Sequence, residues 1–202
     1  MLLSINSQNP QVRLIKKVAE ILQDGGIIIY PTDTVYGLGC NLFYTKGTER
    51  IYEIKKRNKK QPLSFICSDL KDISMYAQVT DFAYKIMKRY LPGPYTFILQ
   101  ASRLVPKIIL PKRQTTGIRI PNNQICMELV AELGKPLIST SVKTDDDQYL
   151  CDPEEIEKIF KHQVDVVING GILAPIPSTV VNLIDDTVEV LRVGKGDASE
   201  FM

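Results

Sequence analysis

The sequence predicts an α/β fold in which helices pack on a mixed β-sheet. Segments with helical spacing of apolar residues alternate with short β-branched runs through most of the chain. Near the C-terminus two β-branched runs are joined by three polar residues, which is typical of an antiparallel hairpin. The 202 residues, 44% of them hydrophobic, are enough for one domain with a buried core. We therefore expect a single domain over residues 1–202.

The first half of the chain is predicted to alternate helices with strands. Asn9 and Pro10 predict the N-cap and first residue of a helix that ends at Gly25 and Gly26. Pro31 opens a predicted loop that continues through Gly39. A second helix is expected to end in the run 55–60. Further elements are strands at Ile27–Tyr30, Leu63–Cys67 and Tyr95–Leu99 and a helix near Asp81–Tyr90.

The second half continues the alternation and then becomes β-rich. A helix is predicted from about Asn122 to Leu133, and a further helix is capped by Asp152-Pro153-Glu154-Glu155. The polar segment Thr144–Tyr149, with three successive aspartates, predicts a mobile surface loop. Strands are predicted at Thr115–Ile120, Pro136–Ser139, Val164–Ile168, Thr179–Ile184 and Val188–Val193, the last two forming the hairpin.

Several classes of protein are disfavoured by simple counts. No apolar run approaches the roughly 20 residues that span a bilayer, and the N-terminus lacks the features of a signal peptide, so we expect a cytoplasmic protein. The four cysteines form no C-x-x-C pair and the chain has one histidine, His162, which disfavours a zinc site and a histidine-based catalytic triad. Reduced and mostly buried thiols are expected instead.

The net charge of +2 conceals an uneven distribution of charge. Residues 1–120 contain 19 Lys/Arg and 8 Asp/Glu, a net charge of +11, whereas residues 121–202 contain 6 and 15, a net charge of −9. The first part is therefore basic enough to attract anions such as nucleotides or RNA.

Two kinds of segment are candidates for binding an anion. The loop from Tyr30 to Gly39 combines hydroxyls with two glycines, which suits either ligand contacts or a tight turn. Five cations within residues 55–60 suit either a solvated helix end or an anion site. Arg119 and Arg192 each lie between apolar neighbours on a strand, facing either solvent or a pocket. Cations delivered from separate elements would suit a polyphosphate or a carboxylate.

Seven segments in a fixed order carry a family resemblance. Along the chain stand PTDTVYGLG, KKR followed by PL, PGPYTFIL, GIRIP, PLISTS, PSTVVNL and VLRVG. In this order they resemble the YrdC-like superfamily, which contains the threonylcarbamoyl-adenylate synthases and the YciO branch. The resemblance extends from about residue 10 to residue 197. The asparagine-proline start, the ending Gly194-Lys195-Gly196-Asp197 and the tail Glu200-Phe201-Met202 are more similar to the YciO branch.

The resemblance implies a fold and an activity. It implies a twisted mixed sheet with helices around a concave basic cavity that holds ATP, L-threonine and bicarbonate, with Mg²⁺. The implied products are threonylcarbamoyl-AMP and pyrophosphate, in the pathway that modifies adenosine in tRNA to threonylcarbamoyladenosine. The alternative is a translation-associated module that binds double-stranded RNA or tRNA with little catalysis.

The resemblance also implies roles for individual residues. Lys55 and Arg57 match the catalytic K-x-R pair beside the phosphates. The implied substrate contacts are Thr32, Tyr36, Arg119, Ser139 and Ser178. The implied nucleotide contacts are Lys55, Arg57, Thr115, Ser141, Lys143 and Arg192.

Three segments depart from the pattern of the synthases. The synthases carry a P-S-A-N block where this chain has Thr140-Ser141-Val142-Lys143. Asparagine offers a neutral donor and acceptor, whereas lysine offers only donors and a positive charge. Asn58 and Val193 also stand where the synthases have proline. These departures leave an anion pocket expected and place the full synthase activity in question.

Overall fold

The computed structural model describes residues 1–56, 63–110 and 114–202. Within this part of the chain the strands are β1 (Leu2–Ser4), β2 (Ile28–Tyr30), β3 (Gly37–Gly39), β4 (Ser64–Ile66), β5 (Tyr95–Gln100), β6 (Thr115–Arg119), β7 (Leu137–Ser141), β8 (Val166–Asn169), β9 (Thr179–Asn182) and β10 (Glu189–Arg192). The α-helices are α1 (Val12–Gln23), α2 (Thr45–Ile54), α3 (Leu70–Tyr76), α4 (Asp81–Tyr90), α5 (Gln124–Leu133) and α6 (Pro153–Phe160). Short 3₁₀ turns lie at Lys107–Ile109, Ile184–Asp186 and Ser199–Phe201.

The described strands form one mixed sheet in the order β1-β8-β2-β3-β7-β4-β6-β5-β9-β10. The pairs β1–β8, β2–β8, β4–β6 and β5–β9 are parallel, and the other neighbouring pairs are antiparallel. The antiparallel β9–β10 pair is the predicted C-terminal hairpin. The prediction of a mixed sheet with packed helices is therefore confirmed.

Capping residues explain where several helices begin and end. Thr80 accepts a hydrogen bond from the Ala83 amide at the start of α4, and Asn123 accepts one from the Cys126 amide at the start of α5. Gly134, with a φ of 64°, ends α5 in the left-handed conformation that glycine adopts readily. Asp152 caps α6, whose first residue is Pro153. These local signals are why the helix boundaries were predictable.

The N-terminal boundaries and the predicted loop differ from the expectation. α1 begins at Val12 and not at Asn9-Pro10, because the Asn6 side chain accepts the Asn9 amide in a preceding turn. The Gly37–Gly39 part of the predicted loop is strand β3, which lies between β2 and β7. A Cβ at Gly39 would lie 2.0 Å from the Ile138 carbonyl oxygen, so this close strand contact requires glycine.

The hydrophobic core lies on both faces of the sheet. Successive side chains of β2 point to opposite faces of the sheet, so Ile29 belongs to one apolar cluster and Ile28 and Tyr30 belong to the other. Helices α1 and α5 contribute to the second cluster. Among the described residues, no helix is both long and apolar enough to cross a membrane.

The cysteines are free thiols, as expected. Cys40, Cys67 and Cys126 are buried and Cys151 is partly buried. Burial raises the pKa of Cys40 to about 12 and also raises that of Cys126. These protonated thiols pack as small apolar side chains.

Candidate active site

Five strands surround a polar cavity of about 210 Å³ on one face of the sheet. The cavity lies over β4, β5, β6, β7 and β9. Lys143 and Tyr149, from the segment that follows β7, and Arg192 of β10 also line it. Its lining residues are Ser64, Thr96, Ile98, Arg119, Ser139, Thr140, Ser141, Lys143, Tyr149, Ser178, Val180 and Arg192. Six of the residues singled out from the sequence are therefore brought together here: Arg119, Ser139, Ser141, Lys143, Ser178 and Arg192.

Strand register builds the floor of this cavity. Ser64 of β4 lies opposite Gly117 of β6 on one side and opposite Ser139 of β7 on the other. A Cβ at Gly117 would lie 2.8 Å from the Ser64 hydroxyl oxygen and 3.1 Å from Thr96 Cγ2. The absence of a side chain at Gly117 therefore leaves open the space between two hydroxyl-bearing neighbours.

A buried ion pair positions Arg119 in the lining of the cavity. Its Nη2 donates to Asp33 Oδ1 at 2.6 Å and to Thr34 Oγ1 at 3.0 Å. The other carboxylate oxygen of Asp33 accepts the Asn122 amide at 3.1 Å, and Lys195 Nζ donates to the Asp33 carbonyl at 2.6 Å. The loop Thr32-Asp33-Thr34, called the TDT loop, is thus joined both to β6 and to the C-terminal segment. These contacts hold the guanidinium in one orientation.

Arg119 keeps an unused donor although the residue is only 6% exposed. Its Nε is buried and has no hydrogen-bond partner among the residues that the structure describes. A buried donor without an acceptor carries an energetic cost. Arg119 also lines the polar cavity, so its positive charge is suited to attract a carboxylate or a phosphate.

Arg192, a second arginine of the lining, is held by Ser178. Arg192 Nε and Nη2 donate to the Ser178 carbonyl at 3.1 and 2.8 Å, and Nη2 also contacts the Ser178 hydroxyl at 3.1 Å. That hydroxyl lies 2.8 Å from Thr96 Oγ1. Burial lowers the pKa of Arg192 from its ordinary value and the charge of Arg119 acts in the same direction, while Tyr149 opposes them. Two arginines thus face one small cavity, an arrangement that favours an anionic ligand.

Lys143 separates this cavity from a larger neighbour. Its Nζ lies 2.8 Å from Asp147 Oδ1 and 4.4 Å from the centre of the Tyr149 ring. The neighbouring cavity, of about 630 Å³, is lined by Lys143 together with Lys55, Lys56, Asp145, Asp147 and parts of α2 and α6. Lys143 therefore borders both spaces.

The described part of the basic run contributes Lys55 and Lys56. Lys55 Nζ donates to the Ser141 carbonyl at 3.1 Å, which links the end of α2 to the end of β7. Lys56 Nζ lies 2.7 Å from Asp145 Oδ2. Arg57, the second residue of the predicted catalytic pair, lies outside the described residues.

Thr32, Tyr36 and Thr115 lie outside the lining of the polar cavity. The Thr32 hydroxyl is used within its own turn, since it donates to the Val35 carbonyl at 2.7 Å and accepts the Thr34 amide at 3.0 Å. The Tyr36 hydroxyl donates to the Gly171 carbonyl at 2.7 Å, and burial raises the pKa of Tyr36 to about 12. Thr115 is half-buried at the start of β6. Their roles in substrate or nucleotide binding stay predictions.

Sequence reasoning missed several residues of the site. Ser64 and Thr96 each precede a buried phenylalanine on a strand. Because successive side chains of a strand point to opposite faces, this pattern places both residues on the face opposite the phenylalanine and could have identified them. Asp33 and Lys195 carry no such local signal, because their contacts reach Arg119 and the TDT loop from distant parts of the chain.

The donor set of the polar cavity does not fit a protein-held Mg²⁺ ion. Its described lining consists of cations, hydroxyls and apolar side chains, whereas Mg²⁺ prefers carboxylate ligands. In the described ranges there is also no group of three His, Cys, Asp or Glu residues placed to hold a metal ion.

The chain is similar to one family model and to several known proteins. The family model Sua5_yciO_yrdC, described as "Telomere recombination", matches residues 20–194. The uncharacterized protein YciO of Escherichia coli K12 is 42% identical over 200 residues, covering 98% of this chain and 97% of that protein. A putative threonylcarbamoyl-AMP synthase of Methanocaldococcus jannaschii is 36% identical over 184 residues, covering 89% and 86%.

Two solved structures are also similar. The crystal structure of E. coli YciO superposes with a TM-score of 0.95 at 41% identity, covering 100% of this chain and 99% of that one. The Pyrococcus abyssi Sua5 structure complexed with L-threonine gives a TM-score of 0.93 at 25% identity, covering 99% of this chain and 59% of that one.

Proposed function

Because the chain belongs to the Sua5/YciO/YrdC family, we propose that it is a nucleotidyltransferase of the threonylcarbamoyl-AMP synthase type. Its substrates are ATP, L-threonine and bicarbonate, and its products are threonylcarbamoyl-AMP and pyrophosphate, in the pathway to threonylcarbamoyladenosine in tRNA. The observation that supports this proposal best is the cavity where Arg119, Arg192 and Lys143 meet the hydroxyls of Ser139, Ser141 and Ser178.

The reaction divides into two bond-forming steps. The threonine amine attacks the carbon of bicarbonate, and loss of water leaves a carbamate. A carbamate oxygen then attacks the α-phosphorus of ATP, the bond to the β-phosphate breaks, and pyrophosphate carries away the electron pair. Both steps place anionic groups close together, so cations in a space that excludes water lower the barrier.

Arg119 and Arg192 have separate proposed roles. The charge of the Arg119 guanidinium, oriented by Asp33, attracts the threonine carboxylate. Arg192 lines the same cavity and offsets the charge of the nucleotide phosphates. Ser139, Ser141 and Ser178 provide hydroxyls that hold the amino acid and the nucleotide in place.

The basic residues at the end of α2 complete the proposed site. Lys55 and Arg57 are the proposed catalytic pair, offsetting the charge that develops on the phosphates as pyrophosphate leaves. Mg²⁺ is proposed to enter with the ATP, since the described lining of the polar cavity supplies no carboxylate and Asp145 and Asp147 of the neighbouring cavity contact lysines. Thr32, Tyr36 and Thr115 are proposed to contact ligand from the loop and strand beside the cavity.

The direct test is product formation in solution. The protein is incubated with ATP, L-threonine, bicarbonate and Mg²⁺ beside an authentic synthase, and the adenylate and pyrophosphate are assayed. We expect threonine-dependent release of both products, and an Arg119→Met variant that retains the fold should release neither. Absence of product from well-folded protein would overturn the proposal.

Binding of tRNA or double-stranded RNA stays a prediction from the charge asymmetry. Of the five cations in residues 55–60, the two described, Lys55 and Lys56, contact acceptors on the protein. RNA binding driven by phosphates would weaken steeply with salt, so affinity that stays flat from low to physiological salt would contradict it.

A further inference from the structure

The segment after β7 folds back as a hairpin that carries three successive aspartates at its tip. We name residues 142–150 the acidic hairpin. Lys143 pairs with Tyr149 in an antiparallel bridge, the Leu150 amide donates to the Val142 carbonyl, and the Thr144 amide donates to the Gln148 carbonyl at 2.9 Å. The predicted surface loop therefore has a defined backbone, and its turn places Asp147 at a φ of 64°.

Two of the three aspartates contact lysines of the candidate site. Asp145 Oδ2 lies 2.7 Å from Lys56 Nζ, and Asp147 Oδ1 lies 2.8 Å from Lys143 Nζ. Both carboxylates and both lysines line the cavity of about 630 Å³. Asp146, between them in sequence, is exposed and lies outside the lining of this cavity and of the polar cavity.

The two pairs differ in how firmly the fold holds the lysine, since the Lys56 side chain is 73% exposed and that of Lys143 is largely buried. The Lys143 side chain is 15% exposed and lies over the Tyr149 ring, whereas Asp147 is 79% exposed. In the exposed Lys56–Asp145 pair water can replace the lost contact at little energetic cost, whereas the largely buried Lys143 requires an incoming anion in place of Asp147. A phosphate oxygen is an acceptor of the same kind and carries more charge per group. Release of the two aspartates would therefore open two ammonium groups to an incoming anion.

We propose that Asp145 and Asp147 occupy, in the protein without ligand, the positions that two anionic groups of a polyphosphate ligand take at Lys56 and Lys143. This inference rests on the proposed function, since it concerns the phosphate end of the same site. The ligand must displace both carboxylates, so a chain of linked phosphates is favoured over a single anionic group. The acidic hairpin thus lowers the affinity of the site and determines which anions bind it.

The sharpest test compares two adjacent substitutions that remove the same charge. Asp147→Asn removes a competing carboxylate, and asparagine tolerates the left-handed backbone at this position. Asp146→Asn is the matched control, because it changes the net charge equally at the neighbouring residue. Binding of inorganic pyrophosphate to the full-length protein is measured by calorimetry. We expect Asp147→Asn to tighten binding about threefold to tenfold, and Asp146→Asn to change it by less than about twofold.

The double variant Asp145→Asn/Asp147→Asn extends the comparison. We expect it to bind pyrophosphate more tightly than either single variant. Equal affinities for Asp147→Asn and Asp146→Asn, or no pyrophosphate binding by the double variant, would overturn the inference. Adenylate formation is assayed on the same preparations. Product formation with unchanged pyrophosphate affinities overturns the role of the hairpin alone, whereas tightened affinities without product from any variant overturn the synthase proposal alone.

Discussion

The two ends of the candidate site use the same pairing of cation and carboxylate in opposite surroundings. In the Asp33–Arg119 pair the two side chains are only 9% and 8% exposed, and the carboxylate also accepts a backbone amide. In the Lys56–Asp145 pair the two side chains are 73% and 81% exposed. The first pair belongs to the interior of the fold, and the second belongs to its surface.

The difference determines what each pair can do. Removing one partner of a buried pair leaves an uncompensated charge, so Asp33 and Arg119 must remain together and the guanidinium keeps its orientation. An exposed pair contributes little to stability and can separate without a large cost. A buried pair is therefore suited to building a binding site, and exposed pairs are suited to exchanging one anion for another.

Among these substitutions, that of Asp33 is expected to change the stability of the protein most, because it removes one partner of the buried pair. We expect Asp33→Ala to lower the free energy of unfolding by about 3 kcal/mol, because Arg119 is left buried without its partner. Urea denaturation measures the change. The double variant Asp33→Ala/Arg119→Met removes both charges and should recover much of the loss. A loss below about 1 kcal/mol for the single variant would show that the pair contributes no more to stability than a solvent-exposed ion pair does.

A substitution at Gly117 tests whether the buried end is a formed cavity. The side chain of Gly117→Val would collide with Ser64 and Thr96, whose atoms lie 2.8 and 3.1 Å from the Cβ position. We expect the free energy of unfolding to fall by about 2 kcal/mol. We also expect that ATP with threonine no longer stabilises the variant against thermal unfolding. Gly117→Ala provides a smaller step in the same direction. Unchanged ligand stabilisation in a folded Gly117→Val protein would place the ligand elsewhere.

Arg192 tests the second guanidinium of the cavity. Arg192→Lys keeps a positive charge but loses the paired donation from Nε and Nη2 to the Ser178 carbonyl. We expect unfolding free energy to fall by about 1 kcal/mol and adenylate formation to decrease. Chemical denaturation and the product assay are run on the same protein. Full activity in the lysine variant would show that charge alone, without the forked geometry, is sufficient.

Lys143 lies between the two ends and tests the departure from the synthases. Lys143→Asn restores the residue type that the synthases carry and exchanges an ammonium for a neutral donor and acceptor. If the missing asparagine is what limits the chemistry, we expect adenylate formation at saturating ATP to rise about threefold, although the variant loses the proposed phosphate contact of Lys143. No gain would mean that the limit on activity lies in another residue.

The smallest effect is expected at the exposed end. Asp145→Asn should change the free energy of unfolding by less than about 0.5 kcal/mol, because the Lys56–Asp145 pair is largely solvated. A larger loss would show that the acidic hairpin is part of the stable fold, and the contrast with Asp33 would disappear.

Local patterns predicted most of the elements and many of the site residues. Strand and helix periodicities identified β5, β6 and α4 closely, since side-chain alternation and caps depend on neighbouring residues. Arg119 and Arg192 were candidates because a charge between apolar residues on a strand faces away from the core. β1 and α3 were missed, as each is short and carries a weak pattern.

The sequence by itself determined the mixed α/β class, the family and the uneven charge, because periodicity, motif order and composition are properties of the chain alone. The tertiary structure decided which residues meet. Asp33 and Arg119 are separated by 86 residues, and β7 lies between β3 and β4 although it follows both in the chain. Such contacts depend on strand order and on the packing of both faces of the sheet, which local pattern does not encode. For the same reason only the folded protein shows that Lys143 faces Asp147 and Tyr149 at the border of two cavities.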